Sequence, residues 1–261
     1  MMIPHLDLRL MDCAVDVWLN DIPLQRASAG PDAKLLTLPV AEYVREGDNL
    51  LTVVPYPGPT PSASREPQVA KVSPDARFEA RLVFYEEGEF PGSGGGREAI
   101  AVAAGGDVPM ALRPVSNKRA LRVAGVPWAW QRATVLRLTP EERAALGRAI
   151  QFAHTAFAAR DADQLLNFGQ HYFAEYARAY PAISAAARAE RFRKGFAALP
   201  DDPPWKVAPL DPSSIELRLC AEGRLVEVID RQFRPLLRAE SLPYPFPMFI
   251  GLLDGQLQML R

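Results

Sequence analysis

The sequence predicts two domains, an all-β sandwich over residues 1–137 and an α+β domain over residues 138–261. Three features predict this. Up to Arg137 the chain is a series of short alternating or apolar runs, broken by turn residues and proline. At Thr139 it switches to helical spacing, and from Ser213 the period returns to two. A chain of 261 residues is comfortable for two domains.

The strands of the first half can be read in order. Leu6, Leu8 and Leu10 share one face, and Val15, Val17 and Leu19 follow after a break. Asn20-Asp21 signals a turn, after which Ile22-Pro23-Leu24 resumes the chain. A polar loop over residues 27–34 leads to the run from Leu35 to Val40. Gly47-Asp48-Asn49 makes a second turn before Leu50 to Val54, a short apolar run suited to a buried strand. Residues 55–74, rich in Pro, Ser and Thr, predict a long surface loop. From Arg77 to Glu86 the alternation returns, with Phe78, Ala80, Leu82 and Phe84 on one face, and a last strand or pair is expected between Lys118 and Leu138. Most of the 25 prolines lie in this half or in residues 200–212 and 243–247, which marks those stretches as loops, edges and turns.

Val17-Trp18-Leu19-Asn20-Asp21, Leu38-Pro39-Val40-Ala41-Glu42-Tyr43-Val44 and Glu46-Gly47-Asp48-Asn49-Leu50-Leu51-Thr52-Val53 together resemble the galactose-binding-like jelly-roll domains attached to many glycoside hydrolases. The likeness covers roughly residues 13–54, with Asp21 where that family usually has Gly. It concerns framework turns, so it implies a sandwich and not sugar binding. The tract Gly92-Ser93-Gly94-Gly95-Gly96 is followed by Arg97-Glu98, not by the Lys-Ser/Thr pair of a phosphate loop, and is expected at a hairpin tip, as is Gly105-Gly106-Asp107.

The second half opens on Thr139-Pro140-Glu141-Glu142, a capping box with proline at the first helical position. Leu146, Ile150, Ala153 and Phe157 then form one apolar face. Arg160-Asp161-Ala162-Asp163 caps a second helix, which carries Leu165, Phe168, Tyr172 and Tyr176 on one stripe beside Leu166, Phe173 and Tyr180, and stops at Pro181. A third helix is expected from Ser184, burying Ala189, Phe192, Phe196 and Leu199. Ile215, Leu217 and Leu219 alternate along a strand, Glu222-Gly223 turns the chain into Leu225 to Phe233, and Asp254-Gly255 joins strands at Met248 to Leu253 and Gln256 to Leu260 as a hairpin.

This order resembles the NTF2-like family, whose cone-shaped domain packs a long first helix against a curved sheet. The matching stretches are residues 145–180, with Phe157-Ala158-Ala159-Arg160-Asp161-Ala162-Asp163-Gln164-Leu165-Leu166, and residues 213–261. Members include isomerases, dehydratases, binding proteins and assembly modules, so the resemblance implies a cone but not an activity. It further implies a homodimer, with the contact expected on the apolar strands at 247–260.

Enzymes of that family place an acid, a base or tyrosine hydroxyls inside the cone. The residues here that could serve are His154, Tyr172, Tyr176, Asp230 and His171. A buried Asp230 would have a raised pKa and could act as a base. The simpler alternatives are a histidine bonded to a backbone carbonyl, tyrosines in aromatic packing and an ordinary strand charge. Trp128 and Trp130, two apart after Pro127, would point the same way from an edge strand. They could form a ligand-binding aromatic surface, together with Trp18 a carbohydrate platform, or close the first domain against the second. Arg188, Arg191, Arg193 and Lys194 spread around one helix and predict a solvated face.

Composition excludes several classes. Thirty basic residues oppose 31 acidic ones, and the balance holds in each half, 15 against 16 up to Arg137 and 15 against 15 beyond, so neither half has the basic excess that nucleic acid requires. No run reaches the ~20 apolar residues of a membrane span. His5, His154 and His171 form no metal-ligand spacing, Cys13 and Cys220 are expected as two buried thiols, and no cofactor fingerprint or Gly-x-Ser-x-Gly occurs. The expectation is a cytoplasmic, bacterial, non-enzymatic binding or interaction protein that takes a protein partner or a small molecule. Two alternatives stay open: an isomerase or lyase with its site inside the cone, and a carbohydrate-binding protein acting through the sandwich.

Overall fold

The computed structural model describes residues 2–56, 73–92, 94–106, 110–123, 125–199, 205–239 and 245–261. Among them the chain is mostly strand, in antiparallel sheets, with five α-helices. It divides into two compact units, Met1–Val126 and Pro127–Arg261.

The first unit contains β1 (Met2–Met11), β2 (Cys13–Leu19), β3 (Ile22–Ala29), β4 (Lys34–Pro39), β5 (Gly47–Tyr56), β6 (Arg77–Glu86), β7 (Arg97–Gly105) and β8 (Val115–Leu121). They form two four-stranded sheets, β4-β1-β6-β7 and β3-β2-β5-β8. Period-two alternation decides which face of each strand is dry. Leu6, Leu8 and Leu10 from β1 and Phe78, Ala80, Leu82 and Phe84 from β6 share one core with Val15, Val17 and Leu19 from β2 and Leu51 and Val53 from β5. The glycine tract lies in the connection between the paired strands β6 and β7, as a hairpin requires. Gly96 sits at φ +80°, and a Cβ there would meet the Tyr85 ring at 2.8 Å, so glycine lets the hairpin return close over that ring. The loop expected at 55–74 lies, from 57 to 72, outside the described residues.

The second unit begins with a single helical turn, α1 (Ala129–Arg132), where an edge strand was expected. Then come α2 (Pro140–Ala158), α3 (Ala162–Phe168), α4 (Gln170–Ala179) and α5 (Ala185–Ala197). The Thr139 cap forms as its sequence dictates: the Glu142 N–H donates to Thr139 Oγ1 at 3.3 Å, and the Thr139 N–H donates to Glu142 Oε2 at 2.9 Å. Leu146, Ile150, Ala153 and Phe157 are all buried on one face of α2. The single helix expected over 162–180 is two helices, because the chain breaks at Gly169. A Cβ on Gly169 would lie 2.4 Å from Met259 Cε, so glycine admits the methionine and also interrupts the helix. Of the side chains expected to be buried by α5, only Phe196 is fully so.

The remaining strands are β9 (Ile215–Cys220), β10 (Leu225–Asp230), β11 (Leu237–Arg238), β12 (Pro245–Phe246), β13 (Phe249–Leu253) and β14 (Gln256–Met259). Four of them form the sheet β14-β13-β10-β9, and β11 pairs with β12. Asp254 and Gly255, at φ 51° and 77°, make the two-residue turn of the β13–β14 hairpin. Val226, Val228, Ile250 and Met259 from the sheet share one core with the α2 face, Leu165 and Phe196. That space is filled: Phe157 packs against Phe196, Trp205 and Phe246 with ring centroids 5.9, 4.9 and 6.4 Å away. The apolar side chains of 247–260 where a dimer contact was expected, among them Phe249, Ile250, Leu253, Met259 and Leu260, are already buried within the single chain. Cys13 and Cys220 are both buried. No helix among the described residues is long and apolar enough to cross a membrane.

Candidate binding cleft

β10 ends at Asp230 because the carboxylate of that residue folds the next four residues back on it. Oδ1 accepts the backbone N–H of Gln232 at 2.8 Å and of Arg234 at 3.0 Å, and the Phe233 N–H donates to the Asp230 carbonyl at 2.9 Å. Phe233 is held at φ 60°, an uncommon backbone state for so large a side chain. Oδ2 receives Arg234 through Nε and Nη2, both at 2.9 Å, and Arg238 through Nη2 at 3.0 Å. One aspartate therefore fastens the turn after β10 and orients two guanidinium groups.

That turn forms one wall of a cleft of about 630 Å³. His154, on α2, lies on another wall, with residues 208–211 beside it. It is 8% exposed, and its Nε2–H donates to the Ala208 carbonyl at 2.9 Å, which ties that segment to the helix. Arg231, Arg234 and Arg238 line the cleft with Gln232, and Leu210 and Leu236 add apolar surface. Arg231 and Gln232 are exposed.

The structure thus brings together His154 and Asp230, 76 positions apart in the sequence, on one cleft. It does not give Asp230 the chemistry of a base. Burial alone would raise its pKa, but the N–H groups of Arg234 and Gln232 and the Arg234 guanidinium outweigh burial and hold the carboxyl below its ordinary value. The expected rise of a buried Asp230 is corrected accordingly: its neighbours are donors and cations.

Tyr172 and Tyr176 do not line this cleft. They belong to an aromatic row along α4, where Tyr172 packs on Phe173 at 5.1 Å and Tyr176 on Tyr180 at 4.7 Å, with the Arg188 guanidinium 4.6 Å above the Tyr176 ring. His171, half-buried on α4, is also outside the lining. Trp128 and Trp130 form no paired surface, because a helical turn points residues two apart in different directions. Trp130 is 2% exposed in the core, and Trp128 is stacked by Arg178 at 4.0 Å and Arg261 at 5.6 Å. Trp18 is half-buried on β2, in the first unit. In the basic run of α5, Arg193 pairs with Asp163 at 2.7 Å and Lys194 with Glu190 at 3.4 Å, as a solvated helix face does.

Among the described residues no three His, Cys, Asp or Glu side chains gather in a way that could hold a metal ion. The first unit has a smaller groove of about 390 Å³ along the ends of β1, β6 and β7, lined by Leu10, Phe78 and Ala104 with Arg9 and Arg77. No protein-family model, curated protein or solved structure matches the chain.

Sequence reasoning missed the three cleft arginines. The signal was present in Asp230-Arg231-Gln232-Phe233-Arg234-Pro235, a strand-ending Asp followed by a proline-closed turn with arginine four residues on. An Asp at the start of such a turn bonds the backbone ahead of it, and this predicts a fixed Arg234 more directly than the hydrophobic pattern of β10 does.

Proposed function

We propose that the protein is a non-enzymatic binding module whose recognition site is the cleft lined by His154, Asp230 and the 231–238 turn. The observation that carries this reading is the saturation of Asp230. A carboxylate offers about four lone-pair positions, and this one already meets five donor groups. It has no capacity left to take a substrate proton. The enzyme alternative needs an acid–base group together with a tyrosine in an enclosed pocket, yet Tyr172 and Tyr176 stand apart from the cleft, and aromatic rings fill the space between helices and sheet.

On fold, helices followed by an antiparallel meander over one shared core support an NTF2-like cone for the second unit. Two four-stranded sheets over one core support a jelly-roll-type sandwich for the first. The carbohydrate reading has less support, since Trp128 is covered by arginines and Trp130 is buried.

The test is a thermal-shift screen of the full chain against a library of small metabolites, with each stabilising compound then incubated with the protein and recovered for mass spectrometry. Compounds that stabilise and return chemically unchanged are the expected result. A stabilising compound converted faster than in buffer would overturn the reading.

A further inference from the structure

Resting on that reading of the cleft, we propose that its ligand is a small molecule with one oxyanion group, carboxylate or phosphate, on a short apolar body, and that Arg231 and Arg234 receive the oxyanion. The charges on the walls are Arg231, Arg234 and Arg238 against Asp211 and Asp230, three cations and two anions, a formal excess of +1. The two carboxylates are already engaged. Asp230 is saturated as described, and Asp211 accepts the Ser213 N–H at 2.9 Å and the Ser213 hydroxyl at 2.7 Å.

The arginines are not used up in the same way. Arg234 gives Nε and Nη2 to Asp230, which leaves Nη1 without a partner among the described residues, and its side chain is 55% exposed. Arg231 makes no hydrogen bond or ion pair among the described residues; Asp211 is its electrostatic neighbour. Guanidinium groups recognise carboxylate and phosphate through paired N–H donors. An arginine already fixed by a buried aspartate loses little side-chain freedom on binding, so more of its interaction energy appears as affinity. The Gln232 amide adds a neutral donor on the same wall, and Leu210 and Leu236 provide surface for an apolar body. A cleft of about 630 Å³ holds a molecule of that size.

The experiment is titration of the full chain with hexanoate and, separately, with inorganic phosphate, followed by calorimetry and thermal shift at constant ionic strength set with sodium chloride. Saturable binding of either probe is expected, and the arm that binds more tightly identifies which oxyanion the site prefers. R231Q and R234Q should each weaken it by about tenfold or more, the range for losing a charged hydrogen bond. R191Q, an exposed arginine on α5, should leave it unchanged. R231Q breaks no hydrogen bond or ion pair among the described residues and loses only a long-range attraction to Asp211, so it decides the matter even if R234Q loosens the turn. A stabilisation that does not saturate, or that R231Q leaves intact, is a general salt effect and overturns the inference. Saturable binding of neutral library compounds alone also overturns it, while the binding-module reading stands. An oxyanion that binds through Arg231 and is then converted overturns the non-enzymatic reading and supports the oxyanion site.

Discussion

Asn20 donates from Nδ2 to Asn49 Oδ1 at 2.8 Å, at a point where Asn49 has no solvent exposure. The same Nδ2 reaches the Tyr43 carbonyl at 2.8 Å, and Asn20 Oδ1 accepts the Leu50 N–H at 3.1 Å. Asn49 in turn donates to the carbonyls of Arg45 and Gly47 and accepts the Arg45 N–H. The turn after β2 and the start of β5 are thereby fastened to each other, with β3 and β4 between them in the chain. Asn20 lies at φ 54°, a state that Asn tolerates better than most residues. N49A should strand several buried groups at once, at about 1–3 kcal/mol each before relaxation. Urea unfolding is expected to show a loss of about 3 kcal/mol or more, whereas D48A, on an exposed side chain, should change it little.

The second unit has a comparable fastening at Glu175. Its Oε2 accepts from Arg261 Nη1 at 2.8 Å, and its Oε1 accepts the Ala129 N–H that begins α1. The Arg261 side chain has no exposure, so E175L would leave a buried cation without its carboxylate. Such losses cost about 3–5 kcal/mol. R178A removes a half-exposed guanidinium that stacks over Trp128 and pairs with Glu175 Oε1 at 3.6 Å, and because it is part-solvated it should cost only about 1 kcal/mol. A difference of this size between the two variants in denaturant unfolding checks the assignment; equal losses would refute it.

Periodicity made the elements legible and side-chain networks did not. The faces of β1, β6 and α2 follow from apolar spacing, and the Thr139 cap and Asp254-Gly255 turn follow from local chemistry. Gly169 misled because an isolated glycine costs a helix only about 1 kcal/mol. The decisive fact, Met259 filling the space a Cβ would take, lies 90 residues away. Trp128 and Trp130 misled for a related reason: a proline before two aromatics suits an edge strand and also a helix start. At the cleft, His154 and Asp230 were identified as polar residues flanking apolar patterns. Their roles depend on partners, the Ala208 carbonyl and Arg238, that no local pattern connects to them.

The α2 cap gives a third prediction. T139A removes the oxygen that accepts the Glu142 N–H, and loss of an N-cap costs about 1 kcal/mol. Glu142 itself has a depressed pKa because it accepts the backbone N–H groups of Thr139 and Arg137. Its share of the cap is complete above the ordinary Glu value of 4.5 and is lost as pH falls through the lower folded value. Protection of the Thr139 and Arg137 amides, expressed relative to their intrinsic exchange at each pH, should therefore fall as pH drops through the folded value below 4.5, and should be low in E142A at neutral pH too. Protection that stays unchanged in E142A would refute it.

Asp230 gives the fourth, and its pH dependence separates a fixed carboxylate from a catalytic one. Burial pushes its pKa up, but the Arg234 and Gln232 N–H groups and the Arg234 guanidinium bring the net value below 3.8. Near pH 4 the unfolded chain therefore binds more protons at this residue than the folded chain does. The stability it contributes is complete above the unfolded value and disappears as pH falls through the folded one. D230N should lower the unfolding free energy by about 2 kcal/mol at pH 7, less than a fully buried pair would lose, because the Arg234 side chain is 55% exposed and keeps its water. The gap between wild type and D230N should be constant from pH 5 to about 8 and close below the ordinary Asp range, as measured by urea unfolding across pH. A general base would instead carry a raised pKa, and the gap would vary between pH 5 and 7. A flat gap across that window, with hexanoate affinity weakened in D230N at pH 7, fits a carboxylate that holds Arg234 in place; a gap that changes there would return Asp230 to acid–base chemistry.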